Sequence, residues 1–252
     1  MQKILVTGSN GRFGKILKNL SIKKFIFKNK QQLNILSSKS ISNNLKRYKP
    51  SHILHLAGLS RPMIIHEKDI IKSINLNIVG TCNLVKEASK LGIKIIYLST
   101  SYVYPGKKGN YKEEDAVKPW NNYSWSKLGG ECAVQMYKNS LIIRMCMTEK
   151  PFIHKKAYVN VKTNFIYHED FAKNLLKLID KKGIINVGGH KQIVFNFAKK
   201  TKNYRKTSPR RNERSGSENR PPPCRLEGSG SAPKKATMTS KQCFTCSLKL
   251  LQ

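Results

Sequence analysis

The chain has 252 residues and six cysteines, and its 48 lysines and arginines against 14 acidic residues give a formal net charge of +34. This length suits one domain, or one domain with a small annex, and is enough to bury a sizeable core. No apolar run approaches the roughly 18 residues of a membrane span, the cysteines are too few for a disulfide scaffold, and the N-terminus lacks a signal-peptide pattern. These features argue against an integral membrane protein and favour a soluble cytoplasmic one.

Short apolar runs alternate along the chain with segments that have a helical period. Strands are predicted at residues 3–7, 25–27, 51–56, 93–98 and 141–143, and helices at 11–20, 41–48, 70–91 and 122–137. Strands that alternate with helices imply βαβ units, because a parallel strand needs a crossover connection. The sequence therefore predicts an α/β fold, a doubly wound parallel sheet of the Rossmann type with helices on both faces.

Composition changes abruptly near residue 204. Residues 1–203 contain 24 isoleucines and carry a net charge of +26, whereas residues 204–252 contain no isoleucine, half of the ten prolines and a net charge of +8. The second segment has no helical or strand period. We interpret residues 204–252 as a disordered or low-complexity tail, or as the product of a shifted reading frame.

The net charge alone would suggest a nucleic-acid partner. However, the lysines of residues 1–203 are scattered over every predicted element, as on a solvated surface. The arginines of the tail could form a nucleic-acid arm, and Cys243-Phe244-Thr245-Cys246 could be half a zinc site, but no second cysteine pair and no nearby histidine follow. We therefore expect no nucleic-acid binding, no metal site and no membrane partner.

A glycine-rich turn, Gly8-Ser9-Asn10-Gly11-Arg12-Phe13-Gly14, follows the first predicted strand and opens the first predicted helix. Glycines at this spacing allow a tight turn and a close approach of the backbone to a pyrophosphate, and the helix N-terminus offers free N–H groups. A merely structural strand–helix turn is the alternative. The residues predicted to contact a dinucleotide are Gly8, Asn10, Gly11, Arg12, Phe13 and Gly14.

The residues after the second predicted strand bear on the identity of the dinucleotide. An acidic residue there favours NAD, and a basic residue favours the 2′-phosphate of NADP. Lys28, Asn29 and Lys30 follow Phe27, without an acidic residue. The expected cofactor is NADPH or NADH, and these residues favour NADPH, although lysine is common throughout the chain.

Tyr123 and Lys127 are spaced so that they share one face of a predicted helix. An ammonium group favours the phenolate and would lower the pKa of Tyr123, and a tyrosine tuned in this way can exchange a proton with a carbonyl or alcohol oxygen. Tyr104 and Tyr158 also have a lysine four residues later. Only Tyr123 begins a helix that follows a strand ending in hydroxyl side chains, at residues 99–101, where ligands of open α/β sheets bind.

In combination, these residues resemble the extended short-chain dehydrogenase/reductase family, and within it most closely the dTDP-4-dehydrorhamnose reductase branch. The matching segments fall in the family's order and cover about residues 2–200. They are residues 4–14, 55–58, 77–84, 98–106, 111–115, 119–131 and 183–189.

The resemblance implies a catalytic role for three residues. Thr100 would bond the substrate carbonyl, Tyr123 would be the general acid, and Lys127 would hold the nicotinamide ribose and tune Tyr123. The cofactor would deliver a hydride to a keto carbon of a nucleotide-linked sugar. The further contacts that the resemblance implies are Ala57, Gly58, Asn77 and Ser99 toward the cofactor and Ser101, Tyr102 and Arg144 toward the substrate.

The resemblance also implies a domain organisation. Residues 1–144 would form the NAD(P)-binding Rossmann domain, and residues 145–203 a small, apparently truncated substrate-binding region with possible return elements to the sheet. The segment after Arg144 is shorter than the family's usual substrate loop. A homodimer is a further expectation, although the sequence itself does not reveal the oligomeric state.

Two alternatives to a reductase stay open. Sugar dehydratases of the family carry an Asp-Glu pair after the catalytic threonine, and Ser101-Tyr102 in those positions argue against dehydration. The reductases usually carry aspartate at the position of Ser101, which leaves an epimerase with tightly bound NAD as an alternative. The short segment after Arg144 leaves a non-catalytic NAD(P)-binding homologue as another.

Overall fold

The structure is a computed structural model that describes residues 2–107, 109–154, 156–201 and 205–207. Its strands are β1 (Ile4–Thr7), β2 (Phe25–Lys28), β3 (His52–His55), β4 (Lys94–Leu98), β5 (Ser140–Met145), β6 (Met147–Thr148), β7 (Lys156–Tyr158), β8 (Lys162–Thr163), β9 (Ile166–Tyr167), β10 (Gly183–Val187), β11 (Gln192–Ile193) and β12 (Arg205–Thr207).

The α-helices are α1 (Arg12–Asn19), α2 (Ser38–Tyr48), α3 (Ile65–Lys68), α4 (Ile70–Ile74), α5 (Gly80–Ser89), α6 (Asn122–Gln135), α7 (His168–Asn174) and α8 (Val194–Ala198). Short 3₁₀ turns cover Ser101–Val103 and Leu175–Lys177. A π-helical turn, Asn75–Val79, joins α4 to α5. Within the described residues, no helix is long and apolar enough to cross a membrane.

Six strands form the central sheet in the order β10-β5-β4-β3-β1-β2. Every pair in it is parallel. β1, β3, β4 and β5 are buried along their whole length, as expected for continuous apolar strands covered on both faces. This confirms the predicted α/β fold with a doubly wound parallel sheet.

Alternate residues of the strands supply two separate cores. Ile4, Val6 and Leu54 pack on the face covered by α1 and α7, whereas Leu5 and Ile53 pack on the face covered by α2, α5 and α6. The period of two along each strand therefore places a helical layer on either side of the sheet.

The helix predicted over residues 70–91 is instead α4, a π-helical turn and α5. The helix predicted over residues 41–48 begins earlier, because the Ser37 side chain caps α2 by accepting a hydrogen bond from the Ser40 N–H at 3.2 Å. It ends at Tyr48 as predicted, because the next residue, Lys49, has a positive φ of 44° and caps the helix directly before Pro50.

Residues after β5 divide between the sheet and a second, smaller core. β10 returns to the sheet beside β5. Phe152, Ala157, Val194 and Phe197 form the smaller core. The boundary at residue 144 stays a prediction.

Most of the tail, with the Cys243–Cys246 pair and five of its six arginines, lies outside the described residues. Arg205–Thr207 is an exception to the expected absence of regular structure. These residues form β12, which pairs in parallel with β7.

Candidate active site

The carboxyl ends of the parallel strands bring the predicted site residues to one edge of the sheet. The glycine-rich turn follows β1, Ala57 and Gly58 follow β3, and Ser99 and Thr100 follow β4. Since the strands are all parallel, these segments emerge on the same side, where ligands of doubly wound sheets bind.

The glycine-rich turn packs backbone against backbone. Gly8 has a φ of +66°, and a Cβ at this position would lie 2.6 Å from the Cα of Ala57. A Cβ on Gly14 would lie 2.6 Å from the carbonyl oxygen of Ser9. Among the described residues, no side chain caps α1 at Gly11. The turn therefore presents backbone N–H groups at the start of α1, as an anion site requires.

Three side chains of this turn, those of Asn10, Arg12 and Phe13, contact different parts of the protein. Phe13 is buried, and its ring lies 5.4 Å from that of Phe171 on α7, so only its backbone can face a ligand. Asn10 accepts a hydrogen bond from Lys18 at 3.1 Å. Arg12 extends toward Glu149, with an Nε–Oε1 distance of 3.2 Å.

Asn77 joins two parts of the site from within the π-helical turn. Its amide accepts a hydrogen bond from the Leu59 N–H at 2.7 Å and donates to the Leu59 carbonyl at 2.8 Å. It also donates to Ser126 Oγ on α6 at 2.8 Å. Gly58 fits beside this amide, because a Cβ there would lie 2.8 Å from Asn77 Oδ1. Asn77 thus positions the loop after β3 against the helix that carries Tyr123.

A capping box at Asn121 and Ser124 starts α6 and places Tyr123 in its first turn. Thr100, which follows β4, lies close enough to Tyr123 to lower the pKa of its phenol. The ring of His66 packs against it in a T-shaped arrangement at 5.1 Å. The structure therefore brings Thr100 and Tyr123 together.

Burial raises the pKa of Tyr123 to about 12, against the lowering effects of the nearby Thr100 and of the charge of Arg61. Lys127 lies one turn further along α6, with its Nζ 4.0 Å from the centre of the Tyr97 ring. Burial lowers the pKa of Lys127 to about 7. Burial therefore dominates the pKa values of both groups, and the expected tuning of Tyr123 by Lys127 stays a prediction.

The hydroxyl groups after β4 differ in their surroundings. Ser99 Oγ is buried and has no hydrogen-bond partner among the described residues, which leaves it available to a ligand. Ser101 Oγ is likewise buried without a partner among the described residues. Cys146, directly after β5, is close to Ser101 and Tyr102, and burial raises the pKa of its thiol to about 11. Ser101 and Tyr102 therefore line the site together with a neutral thiol.

Arg144 does not face this site as expected. Its guanidinium is buried, pairs with Glu131 of α6 at 2.8 Å and donates to the Tyr104 hydroxyl at 2.8 Å. It also donates to the Glu113 carbonyl. The assignment of Arg144 to the substrate is corrected, because these core groups already occupy its donors.

The family model for the RmlD substrate binding domain matches residues 1–188. The chain belongs to this family. The membership confirms the resemblance to the dTDP-4-dehydrorhamnose reductases drawn from the sequence motifs.

Two kinds of curated relative resemble this RmlD-family chain. It is 36% identical over 104 residues to methionine adenosyltransferase 2 subunit beta of Rattus norvegicus, which covers 41% of this chain and 31% of that protein. It is 27% identical over 195 residues to the spore coat polysaccharide biosynthesis protein SpsK of Bacillus subtilis, with 74% and 62% covered. The match thus spans about a third of the length of the first relative.

Solved structures share the fold. The dTDP-4-dehydrorhamnose reductase of Bacillus anthracis, in complex with NADP, aligns with a TM-score of 0.74 at 23% identity over 83% of this chain and 86% of that one. The UDP-glucose 4-epimerase of Thermus thermophilus, in complex with NAD, aligns with a TM-score of 0.67 at 17% identity over 82% and 86%.

Sequence reasoning missed Arg61 and Glu149. Arg61 belongs to the loop after β3 and contacts both carboxylate oxygens of Glu149, at 2.8 and 3.0 Å. The composition held a signal that pointed to the arginines, because residues 1–203 contain only four arginines beside 33 lysines. Three of the four, Arg12, Arg61 and Arg144, form ion pairs in the structure, as suits the planar, forked guanidinium.

Proposed function

We propose that this RmlD-family protein is an NAD(P)H-dependent reductase of a nucleotide-linked keto sugar, similar to dTDP-4-dehydrorhamnose reductase. The observation that carries the proposal is the placement of Tyr123, in the first turn of α6, close to Thr100, at the edge of the sheet where the glycine-rich turn also emerges. A proton donor is thereby held beside the strand ends that bind ligands in this kind of fold.

The residues around the glycine-rich turn fit a dinucleotide. The backbone packing at Gly8 and Gly14 leaves no room for side chains, and the uncapped start of α1 suits a pyrophosphate. Ser99 Oγ, buried without a partner among the described residues, suits a polar group of the same ligand. Gly8, Gly11, Gly58 and Ser99 would hold the cofactor, which when bound supplies the hydride.

Tyr123 would supply the proton, which passes from its phenol oxygen to the carbonyl oxygen as the hydride reaches the carbonyl carbon. With a pKa of about 12, the phenol stays protonated at neutral pH, the form that a proton donor needs. Thr100 would donate to the same carbonyl oxygen and, together with Arg61, offset the cost of the phenolate left on Tyr123. Lys127 would bind the nicotinamide ribose.

The test is the consumption of NADPH with a dTDP-4-keto-6-deoxy sugar. Tyr123→Phe removes the proton donor and is expected to lower kcat at least about 100-fold. Tyr137→Phe is the matched control, because the Tyr137 hydroxyl, near the end of α6, is buried without a partner among the described residues. Full activity of Tyr123→Phe would overturn the mechanism.

We propose NADPH as the preferred cofactor. Lys28, the last residue of β2, donates to the Tyr48 hydroxyl at 2.6 Å and lies over the same ring. Its ammonium is thereby held at the strand end where a 2′-phosphate would lie, with Lys30 two residues further on.

A second candidate function is that of a non-catalytic subunit. It is favoured by the 36% identity to proteins named methionine adenosyltransferase 2 subunit beta. It predicts dinucleotide binding without turnover, and co-elution with a methionine adenosyltransferase catalytic subunit during gel filtration. An epimerase would instead retain NAD and convert nucleotide sugars without net consumption of the cofactor.

We also propose a homodimer through an apolar face that α4 and α6 form together, with Ile71 on α4 and Trp125 on α6. Ile71 and Trp125 are 69% and 54% exposed. The two helical segments adjoin closely, since a Cβ on Gly129 would lie 2.7 Å from the Ile78 side chain. A second copy would cover this face in an isologous contact. Sedimentation should show a dimer that Ile71→Glu dissociates and that Ile153→Glu, on the C-terminal part, leaves intact.

A further inference from the structure

Tyr97 is a buried residue of β4 that the proposed reaction does not use. The parallel register places it beside His55 of β3, so the two side chains point to the same face of the sheet. Their rings lie 5.5 Å apart. His55 is in turn hydrogen-bonded to Thr7 Oγ1 at 2.9 Å and to Thr81 Oγ1 at 3.1 Å. Tyr97 therefore packs against a neighbour whose ring orientation is fixed.

The Tyr97 side chain contacts α6 at two points. The Lys127 Nζ lies 4.0 Å from the centre of the ring, and the Tyr97 hydroxyl donates to the Lys127 carbonyl at 3.3 Å. A Cβ on Gly130 would collide with the same hydroxyl, so the glycine allows α6 to approach the strand. One aromatic side chain thus contacts both the ammonium and the backbone of Lys127.

The contact between the ring and the ammonium is a cation–π interaction. The negative face of an aromatic ring attracts a cation within about 6 Å of its centre, and the attraction is stronger where water is excluded. Tyr97 is only 1% exposed. Burial also raises the pKa of the Tyr97 phenol well above its ordinary value. Tyr97 therefore stays neutral and acts on Lys127 through its ring, not as a proton donor.

Other titratable groups also act on Lys127. Glu131, one turn further along α6, raises its pKa, but this carboxylate is bound to Arg144 at 2.8 Å. His55 is neutral at pH 7, because burial and the charge of Lys127 lower its pKa to about 3. Tyr123, one turn earlier on α6, is a neutral phenol at the same pH. Burial destabilises the ammonium of Lys127, and the aromatic ring that it contacts offsets part of this effect.

We propose that Tyr97 is a positioning residue for Lys127, and that its ring face holds the ammonium where the nicotinamide ribose binds. The inference rests on the proposed function for the presence of the cofactor. Tyr97 acts through Lys127 and is not itself expected to contact the cofactor or the substrate. The ring contacts the ammonium and the hydroxyl contacts the helix backbone, so the two parts of the side chain can be tested separately.

The first measurement is the titration of Lys127 itself. Tyr97→Phe keeps the ring and removes the hydroxyl, whereas Tyr97→Leu removes the ring and keeps an apolar side chain. NMR of the full chain with isotope-labelled lysine follows Lys127, whose signal is identified by its loss in Lys127→Met. The midpoint is expected to be unchanged in Tyr97→Phe and about one pH unit lower in Tyr97→Leu, as for the loss of a desolvated cation–π contact. Tyr97→Met repeats the test if Tyr97→Leu does not fold.

The second measurement is the affinity for NADPH at pH 7, by fluorescence titration. If the midpoint of Lys127 falls from about 7 to about 6, its protonated fraction falls from about a half to about a tenth. Tyr97→Leu is therefore expected to weaken NADPH binding about fivefold. In the Lys127→Met protein the same substitution should have less than about a twofold effect, because its action passes through the ammonium. Phe25→Leu, which removes a buried ring at the opposite end of the sheet, is the control and should not change the affinity.

Equal weakening of NADPH binding by Tyr97→Leu with and without Lys127 would show a purely structural role and overturn the proposal. An unchanged Lys127 midpoint in Tyr97→Leu, or an equal change in Tyr97→Phe, would overturn it as well. If the expected changes occur but NADPH is not consumed with the keto sugar, the proposed reductase fails and the role of Tyr97 stands. If the unmodified chain binds no NADPH, both fail.

Discussion

Arg144 and Glu131 form an ion pair in the interior, with Nη2 and Oε2 2.8 Å apart and side chains that are 4% and 1% exposed. Removal of one charge leaves the other buried without its counter-ion, which costs about 3–5 kcal/mol of stability. Glu131→Gln is expected to lower the free energy of unfolding in urea by this amount. Lys90→Gln breaks the pair between Lys90, whose side chain is 62% exposed, and Glu87, and should cost less than about 1 kcal/mol because the lysine end of the pair faces solvent. Equal losses of unfolding free energy in the two variants would contradict the view that the interior pair contributes more to stability.

Asn77 should matter for both stability and cofactor affinity. Asn77→Ala removes three hydrogen bonds, to the Leu59 N–H, the Leu59 carbonyl and Ser126 Oγ. A loss of about 2–4 kcal/mol in unfolding free energy is expected, at roughly 1 kcal/mol per bond, together with weaker NADPH binding in a thermal-shift titration. Asn83→Ala, which removes one longer bond to the Ile35 carbonyl at 3.3 Å, should leave NADPH binding intact. An equal loss of NADPH affinity in both variants would remove the specific role of Asn77.

Lys127 gives the stability of the protein a defined pH dependence. Burial lowers its pKa to about 7 from an ordinary value of 10.5. Between these values the unfolded chain binds more protons at Lys127 than the folded chain, so its contribution makes stability rise with pH across that window. Lys127→Met should therefore stabilise the protein most at pH 6, with the difference shrinking toward pH 10. Urea unfolding of both proteins at several pH values measures this difference, and one that is constant with pH would refute it.

Lys28 should set the preference for NADPH. Lys28→Gln removes the ammonium at the end of β2. It is expected to weaken the binding of NADPH about tenfold and to leave the affinity for NADH unchanged. Fluorescence titration with both cofactors gives the ratio. Lys39→Gln, an exposed lysine of α2, is the control for general charge. Equal weakening of both cofactors by Lys28→Gln would separate Lys28 from the 2′-phosphate.

The sheet was predictable because its strands are continuous apolar runs bounded by glycine, proline and polar residues. The glycine-rich turn was predictable because a strand ends at Thr7 and a helix begins at Arg12. β10 was expected only as a possible return to the sheet. Its first residue, Gly183, is exposed and Ile184 only half-buried, so the run carries a weaker signal than the buried strands.

The electrostatics of the site could not be read from spacing. Tyr123 and Lys127 share a helix face as predicted, but their pKa values follow from burial by residues distant in the chain. The partner of Arg144 lies on α6, 13 residues earlier, and that of Arg61 lies 88 residues later. The sequence offers several acidic residues as partners for each arginine. Only the packed fold decides which of them forms the ion pair.

The π-helical turn sets an angular relation between two surfaces of the molecule. A π turn holds one more residue than an α turn, and one residue corresponds to about 100° of rotation around a helix axis. Asn77 within the turn faces the loop after β3, while Ile71 on α4 faces outward. Deletion of a single residue from Asn75–Val79 would swing α4 by this angle relative to α5. The Asn77 amide and the exposed Ile71 would then lose their relative orientation. The π-helical turn therefore couples the geometry of the candidate site to that of the exposed face of α4.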